Sequence, residues 1–345
     1  MTRPFPLPQD LGLKRTRLSY LARAGAAHLR AFVTGNTPER EAKAMYGDDT
    51  VLKAASASAT LGTAGWAKEL GGIAVYDLIQ SATSISAGAE LINLALKLNM
   101  DGIAEYHVPG RVLNAAAAGA WVGEGGAAPV RAINFSETAI LRPRKLVVIT
   151  TYSSTLAEAS NIEEIVRATL SEATGLALDL AMFSNFAGDA TKPPGLFANI
   201  APLTATAGGG QAAMLADLGM LFAALATASA GKTAMIVAAL PQAVALMISA
   251  GPKFNFTIIA STALAAGTVA VVEAASFVSG FSSEAEFSVS KVGVVHMEDT
   301  SPADFPATPM KSLFQLDLLG LKTTLQCAWG MRAANHVAWL TGATW

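Results

Sequence analysis

The sequence predicts an α+β fold built around one long helix, and three observations support this class. Apolar residues recur at helical spacing from residue 162 to residue 183. Helix-like and strand-like runs then alternate from about residue 211 to residue 300. A final strand-like run extends over 313–332 and is interrupted at Gly320. Helices and strands in this order favour a mixed α+β chain.

The composition is unusually apolar for a chain of 345 residues. Hydrophobic residues make up 52% and charged residues only 14%, whereas about 25% charged is typical of soluble domains. Either a membrane or an extensive protein interface explains this deficit. The longest uncharged run, 233–252, has Pro241 and Gln242 at its middle and no Trp or Tyr anchors, unlike a bilayer-spanning segment. We therefore predict large subunit interfaces and no membrane contact.

The first 50 residues are predicted to form a basic N-terminal extension. Within residues 1–30, six Lys and Arg side chains face only Asp10, which gives a local net charge of +5. Such a start is typical of an organelle transit peptide, or of an arm that contacts nucleic acid or an acidic partner. No apolar secretory core follows Met1, so we expect no export through a signal peptide.

An N-terminal arm and a long hairpin are predicted next. Residues 51–104 mix small residues with helical fragments such as 89–98, which indicates an extended arm. Residues 105–152 contain two strand-prone runs, the second at 146–152, and we expect a hairpin loop with a flexible tip. The residues that punctuate this hairpin are Gly119, Gly123, Gly125, Gly126 and Pro129.

The long helix begins at a capping box formed by Ser160 and Glu163, whose side chains can each satisfy a free backbone N–H group. It should end near Ser184, because Gly188 and Pro193-Pro194 prevent its continuation. At 1.5 Å per residue this spine would be about 36 Å long. In the mixed region that follows, we expect helices at 211–228 and 241–250, and strands at 234–239, 256–260, 268–273 and 287–295.

The stretch Gly231-Lys232-Thr233 ends like a nucleotide-binding phosphate loop, and so raises the alternative of an α/β nucleotide hydrolase. A phosphate loop needs a strand before it and a helix after it, so that backbone N–H groups meet the phosphate. Here a helix is predicted before the stretch and a strand after it, and Ala226 replaces the first glycine. We predict that Gly231 ends a helix and that the resemblance to a phosphate loop is accidental.

No other residues predict a catalytic, cofactor-binding or metal site. Cys327, the single cysteine, lies in a strand-like run and is expected to be a small buried hydrophobe. Ser288 and Lys291 form a Ser-x-x-Lys pattern, but in an alternating strand rather than at a helix start. Four histidines lack metal-ligand spacing and three acidic pairs are more simply turns or helix starts: His28, His107, His296, His336, Asp48-Asp49, Glu163-Glu164 and Glu298-Asp299.

Two blocks of residues resemble tailed-phage major capsid proteins of the Hong Kong 97 type. They occur in the family's order and together span about residues 60–345. The first block comprises Trp121, Glu124, Pro129, Phe135, Leu146, Ser153-Ser154, Leu156, Asp179, Gly188 and Pro194-Gly195-Leu196. The second comprises 312–315, Asp317, Leu321-Lys322, Trp329-Gly330-Met331-Arg332 and Val337-Ala338-Trp339, with Lys322 where an arginine is more usual.

This resemblance implies the Hong Kong 97-type capsid fold. Besides the N-terminal arm (51–104) and the extended hairpin loop (105–152), that fold has a peripheral domain with the spine helix at 153–199. An axial domain would occupy 200–308, and C-terminal strands at 309–345 would return to the peripheral domain. The matched residues would serve packing or interfaces, with no enzymatic activity, cofactor or metal.

The function implied is that of a major capsid protein, which self-assembles through hexamers and pentamers into an icosahedral or prolate shell around double-stranded DNA. Expected partners are a scaffold, a portal, a maturation protease and DNA contacted non-specifically. The expected location is the virion, after assembly in the cytoplasm of the bacterial host. An encapsulin-like nanocompartment would share the fold and is the alternative.

Some capsid relatives cross-link neighbouring subunits through a hairpin lysine. No lysine lies between Lys97 and Lys145 of this sequence, and arginine stays protonated and cannot act as the nucleophile. We therefore expect no covalent cross-link through this hairpin.

Overall fold

A computed structural model of the chain describes residues 20–49, 52, 75, 77–110, 121–122, 124, 137–158, 162–227, 231, 233–250, 254–282, 285–296 and 310–345. The helices are α1 (Tyr20–Thr34), α2 (Pro38–Tyr46), α3 (Ala87–Leu94), α4 (Ser154–Glu158), α5 (Ile162–Met182), α6 (Gly210–Thr227) and α7 (Leu240–Ala250). The strands up to the middle of the chain are β1 (Leu96–Asn99), β2 (Tyr106–Pro109), β3 (Glu137–Leu141), β4 (Arg144–Ser153), β5 (Leu203–Thr204), β6 (Ala234–Ala239) and β7 (Thr257–Ser261). The later strands are β8 (Val269–Glu273), β9 (Phe277–Phe281), β10 (Glu286–Ser290), β11 (Val294–His296), β12 (Met310–Ser312), β13 (Leu318–Met331) and β14 (Val337–Thr341).

The predicted spine is confirmed as α5, whose 21 residues extend about 31 Å at 1.5 Å per residue. Val166, Leu170 and Leu178 lie on its buried face at helical spacing. Glu163 and Glu164 occupy its first turn, where negative charge is favourable near the free N–H groups. The helix ends at Met182, two residues before the expected Ser184, and Ser160 of the predicted capping box lies outside the described residues.

Sheet I has the strand order β1-β9-β13-β10, and β4 pairs with the opposite edge of β13. The long strand β13 is its centre, antiparallel to β4, β9 and β10. The run 146–152, predicted as the second strand of the hairpin, belongs instead to β4. The described strands of the hairpin are β2 and β3, which pair with each other. The prediction was wrong because Val148 and Tyr152 need a buried sheet face, which β13 and not the hairpin provides.

Sheet II has the strand order β5-β14-β8-β6-β7. Helices α6 and α7 cover one face of it, while its other face packs towards α5 and the hydrophobic core around that helix. Every residue of β6 is buried, as expected for a strand covered on both faces. The sequence predictions for β6, α6, α7, β7 and β8 are confirmed to within two residues.

The last strands divide between the two sheets. β13 lies in sheet I, but β14 lies between β5 and β8 in sheet II. Conversely, β9 and β10, from the range 200–308, belong to sheet I. Alternating burial marks a run as a strand without indicating which sheet it joins, so the sequence pattern does not predict this division. The run 287–295 also divides, into β10 and β11.

The basic start is not only an extension, because α1 and α2 within it pack as part of the fold. Ala24, Ala26, Ala27 and Leu29 of α1 have no solvent exposure. Arg23 of α1 pairs with Glu163 of α5 at 2.9 Å. Residues 1–19 lie outside the described residues.

Candidate assembly surfaces

The phosphate-loop-like stretch is occupied by a carboxylate of the chain itself. As predicted, α6 precedes the stretch and β6 follows it. The backbone N–H of Gly231 donates to Glu273 Oε2 at 2.6 Å, and that of Thr233 donates to Oε1 at 3.3 Å. The Thr233 hydroxyl also donates to Oε1. Glu273 is buried at the end of β8, so the N–H groups that could hold a phosphate already hold an internal anion.

The other residues that the sequence singled out for possible chemistry lie in surroundings that give them structural roles. Cys327 is buried in β13, and burial raises the pKa of its thiol to about 12, far from a reactive thiolate. Lys291 of the Ser-x-x-Lys pattern forms an ion pair with Asp317 at 2.6 Å instead of facing Ser288. His336 Nδ1 and Ser276 Oγ lie 2.5 Å apart in a buried hydrogen bond, and His28 stacks on Phe287.

Two further groups of candidates remain. The Lys43–Asp48 pair is exposed, at 3.5 Å, and Glu298-Asp299 lies outside the described residues. Among the described residues, no three His, Cys, Asp or Glu side chains are grouped to hold a metal. Within the same part of the chain, none of the helices combines the length and apolarity needed to cross a bilayer.

Asp179 is a buried carboxylate that joins three elements of the fold. It accepts hydrogen bonds from the N–H groups of Ala87 and Gly88, at 3.1 and 2.8 Å, at the start of α3. It also accepts from the hydroxyls of Ser86, at 2.5 Å, and of Ser261 in β7, at 2.8 Å. Four donors and the N-terminus of a helix stabilise the negative charge without a neighbouring cation being needed. This aspartate was among the matched residues, but its partners could not be predicted from sequence.

The two blocks of matched residues meet in space. The indole N–H of Trp329 donates to the carbonyl of Pro194 at 2.9 Å, and that of Trp339 donates to the carbonyl of Ile200 at 2.9 Å. Gly195 lies where any Cβ would be 1.9 Å from the carbonyl oxygen of Ser184, so only glycine fits. The Pro-Gly-Leu stretch is therefore a fixed connection between α5 and the strands β13 and β14.

A second meeting point fixes the start of β13. Asp317, at a left-handed φ of 51°, accepts from the Ser154 hydroxyl at 2.9 Å in addition to its ion pair with Lys291. The side-chain hydrogen bond from Lys291 holds the pKa of the Asp317 carboxyl below its ordinary value, with Ser154 adding to the effect. Ser153, the other member of the matched pair, accepts the N–H of Leu156 and so caps α4.

Three uncovered apolar faces stand out among the described residues. The outer face of α6 and α7 exposes large side chains, with Ile248 79% exposed. The face of sheet I away from α5 exposes Val147 and Ile149 on β4. A third face surrounds the Lys291–Asp317 pair, where Val292 is 86% and Phe314 70% exposed. Large exposed apolar side chains that cluster on one face are typical of sites that other proteins cover.

The hairpin contributes a further exposed aromatic side chain. Trp121 is fully exposed, whereas the matched Pro129 and Phe135 lie outside the described residues, as do Arg131 and the glycines of the tip. At the base of the hairpin, Arg142 pairs with Glu105 at 3.3 Å.

The uncovered apolar faces are those of a chain that associates with other proteins, and comparison with known proteins gives its family. The Phage capsid family matches residues 82–265, and the chain belongs to this family. A capsid polyprotein of Pseudomonas phage PAJU2 is 27% identical over 349 residues, which cover 88% of this chain and 50% of the relative. The chain thus spans about half the length of that curated relative.

Solved phage structures share the fold. A protein of Microbacterium phage Oxtober96 has a TM-score of 0.51 and 14% identity, with 74% of this chain and 90% of that chain covered. A chain of the satellite phage P4 procapsid, which includes a size determination protein, has a TM-score of 0.51 and 10% identity, with 77% and 98% covered. The chain is a capsid protein with the Hong Kong 97-type fold, and its family points to a structural role.

Proposed function

We propose that the chain is a major capsid protein that self-associates into hexamers and pentamers, which close an icosahedral or prolate shell around double-stranded DNA. The observation that carries this proposal is the charge-free outer face of α6 and α7. The single charged residue in these two helices is Asp217, and it is buried. A helix that is apolar all round is normally covered on all sides. Copies of the chain are the cover that a shell provides.

The domain layout belongs to the same proposal. We assign sheet II with α6 and α7 to the axial domain, which meets its copies around the symmetry axes of the capsomers. Sheet I with α5 is assigned to the peripheral domain. Asp179 would keep the two parts in one orientation, because its carboxylate is buried and accepts a hydrogen bond from Ser261 of sheet II.

The chain is proposed to need no enzymatic activity of its own. The internal Glu273 carboxylate competes with any phosphate for the N–H groups of Gly231 and Thr233. A scaffold, a portal and a maturation protease are expected to act on the shell as separate partners. Assembly is proposed to occur in the cytoplasm of the bacterial host, and the mature chain to reside in the virion.

Retention of α1 and α2 in the mature subunit is part of this proposal. Removing α1 would expose the buried faces of Val166 and Leu321, which approach Gly25 within 3.5 Å of its Cβ position. A maturation protease would therefore act upstream of Tyr20 or not at all in this region. The basic residues before Tyr20 would contact DNA phosphates or an acidic scaffold inside the shell, without sequence specificity.

Electron microscopy of the expressed chain tests the proposal. We expect capsomers or closed shells of uniform curvature, whose nuclease-protected contents identify DNA rather than a protein cargo. Ile248→Asp places a charge on the uncovered face and should abolish assembly while leaving a folded monomer. Ser249→Asp, an exposed neighbour on the same helix, is the matched control and should assemble. A wild-type chain that stays a monodisperse monomer at high concentration and at several salt concentrations would contradict the proposal.

A further inference from the structure

The outer surface of α6 has the shape of a shallow groove. Successive residues of an α-helix are rotated by about 100°, so residues three, four and seven positions apart share a face. The centre of the exposed face consists of small residues, and large residues stand at its two sides. The small residues are Ala212, Ala216, Gly219, Ala223 and Ala226, and the flanking large residues are Leu215 and Met220.

No contact within the isolated subunit requires a glycine at position 219. It lies in the middle of α6, where glycine weakens a helix relative to alanine. A Cβ built on it finds no atom within 4 Å, so no packing contact of the subunit excludes a larger residue. Glycine at such a position is explained if another backbone or side chain approaches it from outside.

The outer surface of α7 has the complementary shape of a ridge. Leu240, Val244 and Ile248 follow one another at intervals of four residues, with Met247 beside them. All four are exposed, and the opposite face of the helix, with Ala243 and Leu246, is buried. Rows of side chains at intervals of four residues are the ridges that fit the grooves of a second helix.

The groove and the ridge lie on opposite halves of the same sheet. α6 contacts β14 and β8, whereas α7 contacts β6 and β7, on the far side of the sheet order β5-β14-β8-β6-β7. A ridge at one edge and a groove at the other allow each copy to contact the next in the same way. Such a head-to-tail contact is heterologous, the kind of contact that builds rings when the rotation between subunits closes.

We propose that α7 of one subunit packs into the groove on α6 of the next subunit around each capsomer. This inference rests on the proposed self-association and names the pair of surfaces that carry it. Both surfaces are free of charge, so neither buries an unpaired ion against the other. Their six large side chains expose roughly 600 Å² between them, about half of what a small stable interface buries. The small residues of the groove add to this area. Two grooves face to face would leave space unfilled, and two ridges would collide.

Pairs of introduced cysteines test the contact directly. Ala216→Cys or Ala223→Cys on α6 is combined with Val244→Cys or Ile248→Cys on α7, and assembled particles are oxidised and run on a non-reducing gel. At least one pair should bring its Cα atoms within the roughly 7 Å that a disulfide requires. That pair should give a ladder ending at the pentamer and hexamer. The four single variants should stay monomeric, and the wild type controls for the buried Cys327.

The outcomes separate this inference from the proposed function. Dimers from a single variant would show a two-fold contact between like helices and overturn the inference. Particles without a ladder from any of the four pairs would overturn it as well, while self-association stands. If the wild type forms no capsomers or shells, the proposed function itself fails.

A second pair of variants changes the groove without a new thiol. Gly219→Phe fills the centre of the groove, and its Cβ meets no atom of its own subunit within 4 Å, so the subunit should fold and fail to assemble. Gly219→Ala adds one methyl group and is the matched control, which should retain most assembly. Shells from Gly219→Phe in wild-type yield would contradict the inference, and circular dichroism checks that both variants fold.

Discussion

Ser261 of β7 donates its hydroxyl to the buried carboxylate of Asp179 in α5, 2.8 Å away. The two residues are 82 positions apart in sequence. The bond joins sheet II to the spine, and the same carboxylate holds the start of α3. The side chain of Asp179 therefore connects α5 with α3 and β7, which lie far from it in the sequence.

Asp179→Asn should destabilise the subunit by about 3 kcal/mol, because an amide offers one acceptor oxygen and turns an N–H donor towards donors. Urea unfolding measures the change. Glu164→Gln, an exposed acid on the same helix, is the control and should change stability by less than about 0.5 kcal/mol. Equal stability of the two variants would show that the hydrogen bonds of Asp179 make no net contribution to the free energy of unfolding.

Gly195→Ala should destabilise the subunit by about 3 kcal/mol or more, since the added methyl group overlaps the Ser184 carbonyl and the backbone must move. Soluble yield and thermal unfolding are the measurements. Gly293→Ala is the matched control, because its Cβ finds its nearest neighbour, Leu313 Cδ1, at an ordinary 3.5 Å. A normal melting temperature for Gly195→Ala would mean that the loop has another conformation.

The α1–α2 pair should loosen in acid through Glu41. Its carboxylate accepts from Asn36 at 2.6 Å and from Thr34 at 3.0 Å, and pairs with Arg30 at 3.3 Å. These contacts, that of Asn36 first, hold the pKa of Glu41 below its ordinary 4.5. Because the folded-state pKa is the lower one, the stabilisation is complete above pH 4.5 and is lost as pH falls through the folded value.

Thermal unfolding of wild type and Glu41→Gln over this pH range measures that loss. The stability advantage of the wild type should shrink steadily as the pH falls below 4.5. Glu39→Gln, an exposed position on α2, should show a small difference at every pH. An advantage that stays constant down to pH 2 would assign the Glu41 contribution to packing rather than to charge.

Subunits from mature particles should retain residues 20–49. Deletion of residues 1–19 should leave a soluble subunit, whereas deletion of 1–49 should not, because α1 covers the apolar face of α5. Intact mass spectrometry of particles reports the first residue. A mature chain that starts near Ala54 would show that α1 and α2 are a removable segment.

Mature particles boiled in SDS should run as a single band near the monomer mass of 35.4 kDa. With no lysine from residue 98 to residue 144, burial of Trp121 and of strand surfaces has to hold the hairpin to its neighbour. Exposed ion pairs such as Arg142–Glu105 contribute only about 0–1 kcal/mol each. A covalent ladder of pentamers and hexamers would reveal a nucleophile elsewhere in the chain.

The sequence pattern predicted those helices and strands whose formation depends mainly on their own residues. An apolar run predicted β6, and a proline at a helix start indicated α7. Apolar residues that recur at helical spacing over a long segment predicted α5. α1 was missed because its buried face consists largely of alanine and glycine, which carry little hydrophobic signal beside the basic residues Arg23 and Arg30.

Contacts across the fold could not be predicted from periodicity. The assignment of 146–152 to sheet I, and of β14 to sheet II, depends on partners up to 179 residues away. Glu273 did carry a signal, since an acid directly after the apolar run 269–272 needs buried donors. The family resemblance identified the capsid fold because it draws on the order of many residues, each of them weak alone.

Because β13 and β14 lie late in the sequence, both sheets are completed only near the end of synthesis. β13 is the central strand of sheet I, and β14 lies inside sheet II. A ribosome has therefore made more than three hundred residues before either sheet can be completed. Until then the nascent chain lacks β14, the strand that α6 contacts most. The subunit can therefore complete both of its sheets only after residue 341 has left the exit tunnel.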